Sequence, residues 1–331
     1  MTTIMYEGVP LRPDAGIWWK IVQDHKVSVM FSAPTAIRVL KKQDPAYLKK
    51  YDVSCLRHLF LAGEPLDEPT HRWISEALGR PVIDHYWQTE TGWPLLSALP
   101  GVEKTPIKMG SPSFPVHGYD VRLLHEGTGK PVADGEKGVL AIAPPLPPGC
   151  MSTVWGDDER FVKTYFKDFP GQLVYSTFDW GIRDADGYYF ILGRTDDVIN
   201  VAGHRLGTRE IEEAVSMHPR IAECAVVGVA DSLKGQMPLA FAVPKVNLAS
   251  DAERKALEKA VMDTVDRRLG AIGRPSAVHF VTLLPKTRSG KTLRRSIQAL
   301  AEGRDPGDLT TIEDPGALEQ IRQALKGQAT K

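Results

Sequence analysis

The first ninety residues alternate between strand and helix patterns, and this alternation restricts the fold more than any other feature of the sequence. Apolar residues have helical spacing in Asp14–His25 and again in Thr35–Lys42, and the short apolar run Val27–Phe31 lies between them. A second set of strand, helix and strand patterns follows at Leu56–Leu61, Pro69–Leu78 and Val82–Asp84. Strands separated by helices at this spacing predict a mainly parallel sheet and therefore an α/β fold.

The rest of the chain changes character twice. From Gly110 to Leu192, short apolar runs between glycines and prolines predict an antiparallel β subdomain, with a hairpin turn at Asp186-Gly187. After the polar stretch Arg194–Asp197, strands and helices alternate again and predict a small α+β domain. We therefore predict a large domain over residues 1–195, a small domain over 196–300 and a peripheral tail over 301–331.

Composition narrows the functional class. The 41 basic residues balance the 41 acidic ones, which disfavours a nucleic-acid or membrane-surface binder. The apolar runs are far shorter than the roughly 18–20 residues that span a bilayer, and the N-terminus has no signal-peptide pattern. The three cysteines are widely spaced and fit neither a disulfide framework nor a zinc site. We expect a cytoplasmic protein without nucleic-acid or membrane partners.

The basic stretch Pro285–Thr292 comes within one residue of a Walker A loop. Proline stands where that loop needs its first glycine, and proline both fixes φ and lacks an N–H group that could face a phosphate. A P-loop is therefore disfavoured. A solvated basic loop stays open, as does a loop whose Lys286, Arg288 and Lys291 contact a mobile anion.

Three further stretches combine polar and aromatic residues at the ends of predicted strands. In Asp84–Gly92, threonines can donate to phosphate oxygens and Glu90 can hold Mg²⁺, although a buried aromatic turn is the alternative. An aspartate ending Tyr175–Asp179 suits ribose hydroxyls, and the nearby Arg194 suits a phosphate, unless both only form surface ion pairs. Two glycines frame the turn Ala202–Gly207 ahead of a helix that we expect to begin at Thr208.

Taken together and in order, these stretches resemble the adenylate-forming, AMP-forming acyl-CoA synthetases, in the branch of the acetyl- and propionyl-CoA synthetases. The resemblance covers essentially the whole chain. Its matching pieces are Ser32–Thr35, Ala62–Pro65, Tyr86–Gly92, Thr177–Gly181, Gly193–Gly207 and Pro285–Lys291. Pro145–Cys150, Trp155–Asp158 and Thr177–Gly181 resemble the propionate enzymes more than the acetate enzymes.

The resemblance implies a two-step reaction. A short carboxylate, propionate or alternatively acetate, would attack the α-phosphate of ATP with Mg²⁺, and coenzyme A would then displace AMP from the acyl-adenylate. Formation of an amide or of a peptidyl thioester would conflict with the bulk of Trp87. A non-catalytic remnant that binds the nucleotide or coenzyme A is the alternative from another class.

The resemblance also implies residue roles. Lys291 would be the catalytic lysine, and a lysine acetyltransferase and deacetylase would be partners that regulate it. Asp196 would be the hinge, Glu90 a Mg²⁺ ligand, and Ala202 and Gly203 the coenzyme A contact. Ala62 and Trp87 would line the acyl pocket. The nucleotide would be bordered by Gly63, Glu64, Pro65, Asp84, His85, Tyr86, Trp87, Gln88, Thr89, Asp179, Arg194 and Arg205.

The sequence departs from the family in two ways. His85 stands where Thr or Asn is usual, and Ala202 where Ser is common. In addition, no segment resembles the Thr/Ser/Gly-rich loop that clamps the β- and γ-phosphates. We therefore expect an N-terminally truncated form, with a partial large domain and impaired ATP–pyrophosphate exchange.

Overall fold

The computed structural model describes residues 2–64, 66–195, 197–288 and 290–326, and of Arg205 it describes only the backbone. The chain forms two compact units, Met1–Ile191 and Leu192–Lys331. The predicted boundary at Asp196 lies outside the described residues, a few positions after the division between the units.

The first unit is built around the predicted parallel sheet. Strands β1 (Val29–Ser32), β2 (His58–Leu61) and β3 (Val82–Tyr86) are parallel neighbours, and β4 (Leu96–Ser97) pairs antiparallel with β3. Ser32 lies opposite Leu61, which lies opposite Asp84, so the three parallel strands end at the same edge. The helices of this layer are α1 (Ile17–His25), α2 (Pro34–Lys41), α3 (Ala46–Lys49) and α4 (Glu68–Leu78).

Helix α4 shows how local sequence fixes the ends of these elements. The Asp67 side chain caps it by accepting from the Thr70 N–H at 2.9 Å, and Gly79 ends it with φ at +59°. Its buried Ile74 packs with Trp19 of α1 and Ile37 of α2 beneath Leu59 and Leu61 of β2. These contacts hold the ends of β2 and β3 in fixed positions.

The second sheet of this unit is antiparallel, as the sequence predicts. It consists of β5 (Asp120–Leu124), β6 (Gly138–Ala143), β7 (Tyr175–Arg183) and β8 (Tyr189–Arg194) in that order. The predicted turn at Asp186-Gly187 is confirmed, since the Gly187 N–H donates to the Asp184 carbonyl at 2.9 Å and Gly187 has φ at +85°. Strand β7 runs four residues past Asp179, where the sequence analysis placed the end of a strand, and helix α5 (Asp158–Tyr165) was not predicted from the sequence.

The second unit places helices on both faces of one sheet. Its strands are β9 (Val198–Val201), β10 (His204–Gly207), β11 (Ile221–Asp231), β12 (Gly235–Pro244) and β13 (Val278–Phe280). The antiparallel order is β10-β9-β12-β11, and β13 pairs parallel with β12. The helices are α6 (Thr208–Ser216), α7 (Asp251–Leu269), α8 (Arg294–Ala301) and α9 (Gly316–Lys326).

Side chains alternate across this sheet between two hydrophobic clusters. Val226 of β11 packs with Val215 of α6 and Val261 of α7, whereas the adjacent Val227 packs with Ile297 of α8 and Ile321 of α9. This alternation follows from the period of two in a strand.

The tail predicted to be peripheral contributes to this core. In α9, Ile321 is 0% exposed, and Ala317 and Leu318 are also buried. The prediction of a peripheral tail was wrong because the acidic stretch ahead of the helix dominated the composition, while α9 itself carries apolar residues at helical spacing.

No helix in the described part of the chain is both long enough and apolar enough to cross a membrane.

Candidate active site

In the segment after β2, the Glu64 side chain is held by neighbouring residues, which leaves the backbone of the segment to contact a ligand. The Glu64 carboxylate accepts from the Thr35 hydroxyl and pairs with the Arg38 guanidinium at 2.9 Å, and Arg38 also pairs with Asp67 at 2.7 Å. Gly63 has φ at +100° with open space around its Cα, so backbone conformation alone favours glycine there. Ala62 is buried. Pro65, predicted to belong to this site, lies outside the described residues.

Strand β3 divides the predicted nucleotide border between two faces of the sheet. His85 packs between the rings of Phe31 and Phe60, at centroid distances of 5.4 and 5.7 Å. Asp84 and Tyr86 are its immediate neighbours in the strand, and successive side chains of a strand point to opposite faces. Asp84 and His85 are both buried, on opposite faces. The run Asp84–Thr89 therefore does not present a single surface to one ligand.

The packing of His85 predicts an acid-sensitive fold. Burial lowers the pKa of the His85 imidazole from its ordinary value of 6.5 to about 4. A lowered pKa in the folded state means that the unfolded state takes up the proton first as the pH falls, so stability is present above pH 6.5 and is lost toward pH 4. Between pH 6.5 and pH 4, we expect the free energy of unfolding of His85→Thr to fall by about 3 kcal/mol less than that of the wild type.

Urea unfolding at pH 6.5 and pH 4, following the first unit, measures this difference. The matched control is His117→Thr, because His117 is exposed. Parallel loss of stability in the wild type and in His85→Thr would contradict the expectation.

The segment after β3 forms a tight turn. Gln88 precedes a short 3₁₀ helix, Thr89–Thr91, and its N–H donates to the Thr91 hydroxyl at 3.1 Å. Gly92 follows with φ at +65°, and a Cβ there would lie 2.1 Å from the Gly149 carbonyl oxygen, so only glycine fits. Trp87, at the start of this turn, is 39% exposed. The turn fixes where the Trp87 and Glu90 side chains can lie.

A buried carboxylate lies beside this turn. Asp179, only 7% exposed, accepts at Oδ2 from the Tyr86 hydroxyl and from Gln88 Nε2 at 2.9 Å. Gln88 Nε2 also donates to the Thr177 carbonyl at 2.6 Å, and the Tyr175 hydroxyl donates to Gln88 Oε1 at 3.1 Å. Burial, and then the Asp179 charge, raise the pKa of Tyr86 well above its ordinary value, so its hydroxyl remains a donor. Two neutral donors thus orient a charged acceptor.

The backbone just before Asp179 is strained. Val139 of β6 lies opposite Trp180 and Ala141 opposite Ser176, so the single residue between them on β6 faces Thr177–Asp179. Phe178 within this bulge has φ at +59°, a conformation that costs a residue with a side chain roughly 1–2 kcal/mol. Strain of this kind concentrates at functional sites, where it aims a side chain.

Glu90 is joined to this cluster by two stacked tyrosines. The Tyr165 hydroxyl donates to Glu90 Oε1 at 2.9 Å, and the Tyr165 ring stacks on Tyr175 with centroids 5.1 Å apart and an interplanar angle of 6°. Sequence reasoning missed Tyr165 as a site residue, although Asp157 caps its helix α5 by accepting from the Arg160 N–H. The Asp157 cap was a signal that could have revealed the helix.

The donor set suits Mg²⁺ held mainly by a substrate. Within residues 2–64, 66–195, 197–288 and 290–326, no three His, Cys, Asp or Glu side chains are grouped so that they could hold a metal ion. Mg²⁺ commonly takes one or two protein carboxylates and completes its shell with water and substrate phosphates. The Glu90 carboxylate, fixed through one oxygen by Tyr165, fits that role.

In the second unit, the turn Ala202-Gly203 is a two-residue hairpin loop between β9 and β10. Both residues have positive φ, +50° and +85°, which is the geometry of a type I′ turn. The Ala202 N–H donates to the Lys234 carbonyl at 2.8 Å, and Arg205 occupies a β10 position opposite Asn200. Helix α6 begins at Thr208, as the sequence predicts. Arg194 is half-buried at the end of β8.

The three cations of the basic loop are not equivalent. Lys286 forms an ion pair with Glu223 and is mostly buried, which contradicts the expectation that it contacts a mobile anion. Lys291 is exposed, and its ammonium group contacts no acceptor among the described residues. Its N–H donates to the Thr287 hydroxyl at 3.1 Å, and its carbonyl accepts from the Thr287 N–H at 2.8 Å. The loop is therefore a tight hairpin that presents Lys291.

Comparisons with known proteins agree with both units. Residues 1–155 match the family model described as AMP-binding enzyme, and residues 210–291 match the AMP-binding enzyme C-terminal domain. Propionate–CoA ligases of Salmonella typhimurium and Escherichia coli are each 61% identical over 328 residues, which cover 98% of this chain and 52% of theirs. Acetyl-coenzyme A synthetase of Methanothrix soehngenii is 45% identical over 328 residues, covering 97% of this chain and 48% of its own.

A solved structure agrees as well. The anthranilate CoA ligase AuaEII in complex with anthranoyl-AMP superposes with a TM-score of 0.75 at 28% identity, covering 91% of this chain and 55% of that one. The chain spans about half the length of the curated relatives it matches. With both family domains matched in order and a similar fold, the chain belongs to the AMP-binding enzymes.

Proposed function

We propose that the protein acts as an AMP-forming propionate–CoA ligase. Identity of 61% to two propionate–CoA ligases over almost the whole chain supports this choice. The observation that carries it is the buried Asp179 carboxylate, which Tyr86 and Gln88 hold beside the turn bearing Glu90. A charged acceptor fixed in this way suits a pair of ribose hydroxyls.

The first half-reaction forms the acyl-adenylate. A carboxylate oxygen of propionate attacks the α-phosphorus of ATP, a new P–O bond forms, and pyrophosphate leaves. Lys291 would donate hydrogen bonds to the carboxylate and phosphate oxygens, which offsets the negative charge of both reactants. Mg²⁺ would neutralise phosphate charge, held by Glu90.

The nucleotide would be positioned by the first unit and by arginines. Asp179 would accept from the ribose hydroxyls, and Arg194 and Arg205 would contact the ribose and phosphate. The backbone of Gly63, Glu64 and Pro65 would border the adenine. The remaining border residues in this proposal are Asp84, Trp87 and Thr89; His85 is left out because it packs between Phe31 and Phe60 on the opposite face of β3 from Asp84. Because Tyr86 and Gln88 already donate to Asp179, we assign them to orienting that carboxylate.

The second half-reaction forms the thioester. The coenzyme A thiolate attacks the acyl carbonyl carbon, and the C–O bond to AMP breaks. Rotation at Asp196 would exchange the Lys291 loop for the Ala202-Gly203 turn, whose compact I′ geometry suits a thin ligand. Acetylation of Lys291 by an acetyltransferase would remove its charge and stop the first step, and a deacetylase would restore it.

Ala62 and Trp87 would limit the acyl group to two or three carbons. The 45% identical acetyl-coenzyme A synthetase makes acetate the second candidate. We expect thioester formation from supplied propionyl-AMP to exceed that from acetyl-AMP about tenfold or more in kcat/KM, because one methylene contributes roughly 1–3 kcal/mol in a fitted pocket.

Release of AMP from the two supplied adenylates, with coenzyme A in excess, measures this ratio. A higher kcat/KM with acetyl-AMP would favour the acetate assignment. Binding of both adenylates without thioester formation would instead indicate a non-catalytic remnant.

A further inference from the structure

The tail segment Leu309–Glu313 lies along the hairpin that presents Lys291. The Arg288 N–H donates to the Thr311 carbonyl at 3.0 Å, and the Glu313 N–H donates to the Lys286 carbonyl at 2.9 Å. Between these two bonds, Thr287 and Ile312 form a β-bridge. The tail thus pairs with the first strand of the hairpin. The two strands of the hairpin pair with each other through Lys286 and Thr292.

The segment is held to the second unit by Ile312 and by the helix that follows it. Ile312 is 8% exposed, although its neighbours Thr311 and Glu313 are exposed, so its side chain anchors the segment. Just beyond it, α9 buries Ile321 in the cluster that also contains Ile297 of α8. Gln320 Oε1 accepts from both the Thr282 N–H and the Thr282 hydroxyl at 2.8 Å, ahead of the hairpin.

We propose that Leu309–Glu313 is a strap that positions Lys291, with Ile312 as its anchor and the Glu313 N–H as its main bond to the hairpin. Among the described residues of the hairpin, Arg288 and Lys291 are exposed, and the internal backbone bonds from Thr287 and Gly290 span only a few residues. An exposed cation can stabilise a charged transition state only if its backbone is already held in place. The strap supplies that order from a segment outside the family match at residues 210–291.

Two substitutions at one exposed position separate the backbone bond from the side chain. Glu313→Pro deletes the N–H that donates to Lys286, and the preceding Ile312 is a β-bridge partner, a conformation that tolerates a following proline. Glu313→Ala removes the side chain and keeps the N–H, and is the matched control. Ile312→Ala tests the anchor. Ile312→Leu is the conservative variant, and we expect it to keep the hairpin amides as protected from hydrogen exchange as in the wild type.

Amide hydrogen exchange of the full chain is the measurement. We expect the Arg288, Gly290 and Lys291 amides to exchange about tenfold faster or more in Glu313→Pro and Ile312→Ala, and at the wild-type rate in Glu313→Ala. Val261→Ala in α7 controls for general loss of stability, because it lies in the other cluster of this unit and should leave the hairpin amides unchanged.

Unchanged exchange at these amides in Glu313→Pro, or equal acceleration in Val261→Ala, would overturn the strap. The inference rests on the proposed function only for the role of Lys291. If Lys291→Ala leaves acyl-adenylate formation intact, the proposed function fails, whereas the exchange rates still decide whether the strap orders the hairpin.

Discussion

Lys291→Ala is expected to slow acyl-adenylate formation at least about 100-fold, the usual effect of removing a group that stabilises transition-state charge. Thioester formation from supplied propionyl-AMP should stay close to the wild-type rate, since the second step breaks no bond to phosphorus. The physical reason lies in the hairpin. Lys291 is exposed and its ammonium contacts no acceptor among the described residues, so it is available for an anionic ligand.

Single-turnover assays of the two half-reactions separate these effects. Arg288→Ala is the matched control, because it removes another exposed cation from the same hairpin while keeping the N–H that donates to Thr311. Equal slowing of both half-reactions by Lys291→Ala would contradict a role specific to adenylation. Equal slowing of adenylation by Arg288→Ala would show that the net charge of the loop, rather than one ammonium group, is responsible.

Asp179→Ala is expected to weaken AMP binding between about tenfold and 100-fold, because hydrogen bonds to a charged group contribute roughly 1.5–3 kcal/mol each. The loss should exceed that of an ordinary surface carboxylate because Asp179 is buried and already oriented by Tyr86 and Gln88. Asp179→Asn keeps one acceptor oxygen for the Tyr86 hydroxyl and should bind AMP with intermediate affinity.

Calorimetric titration with AMP measures the effect. Asp120→Ala is the control, since Asp120 lies in the same antiparallel sheet but is exposed and pairs only with Arg122 at 2.6 Å among the contacts described. An unchanged dissociation constant in Asp179→Ala would remove Asp179 from the nucleotide site. A shift of the thermal midpoint without a change in affinity would assign it a structural role alone.

Local sequence patterns were sufficient for the framework of the fold. Helix α7 spans Asp251–Leu269 and β6 spans Gly138–Ala143, as predicted, because apolar residues four positions apart, as at Leu257, Val261 and Val265, and glycine-bounded apolar runs are local signals. Strand β7 continues to Arg183, past the strand end expected at Asp179, and its bulge at Phe178 interrupts the alternation on which strand prediction depends. The core role of α9 was missed because an acidic stretch precedes it.

In the candidate site, too, single residues could be predicted from the sequence, whereas the contacts between them could not. Asp179 and Glu90 could be selected from their motifs, and the structure joins them through Gln88, Tyr175 and Tyr165. This chain of contacts joins the turn after β3 to α5 and β7, which follow it in the sequence by about 70 residues or more, so no local pattern could reveal it. The ion pair of Lys286 with Glu223 is equally non-local, and it removes one of three cations that looked alike.

Titration calorimetry with a non-hydrolysable propionyl-adenylate analogue tests most directly whether this chain holds an acyl-adenylate. We expect one analogue to bind per chain, more tightly than AMP, and to bind markedly more weakly to Asp179→Ala. Absence of binding to the wild type, or equal affinity of the wild type and Asp179→Ala, would contradict this expectation.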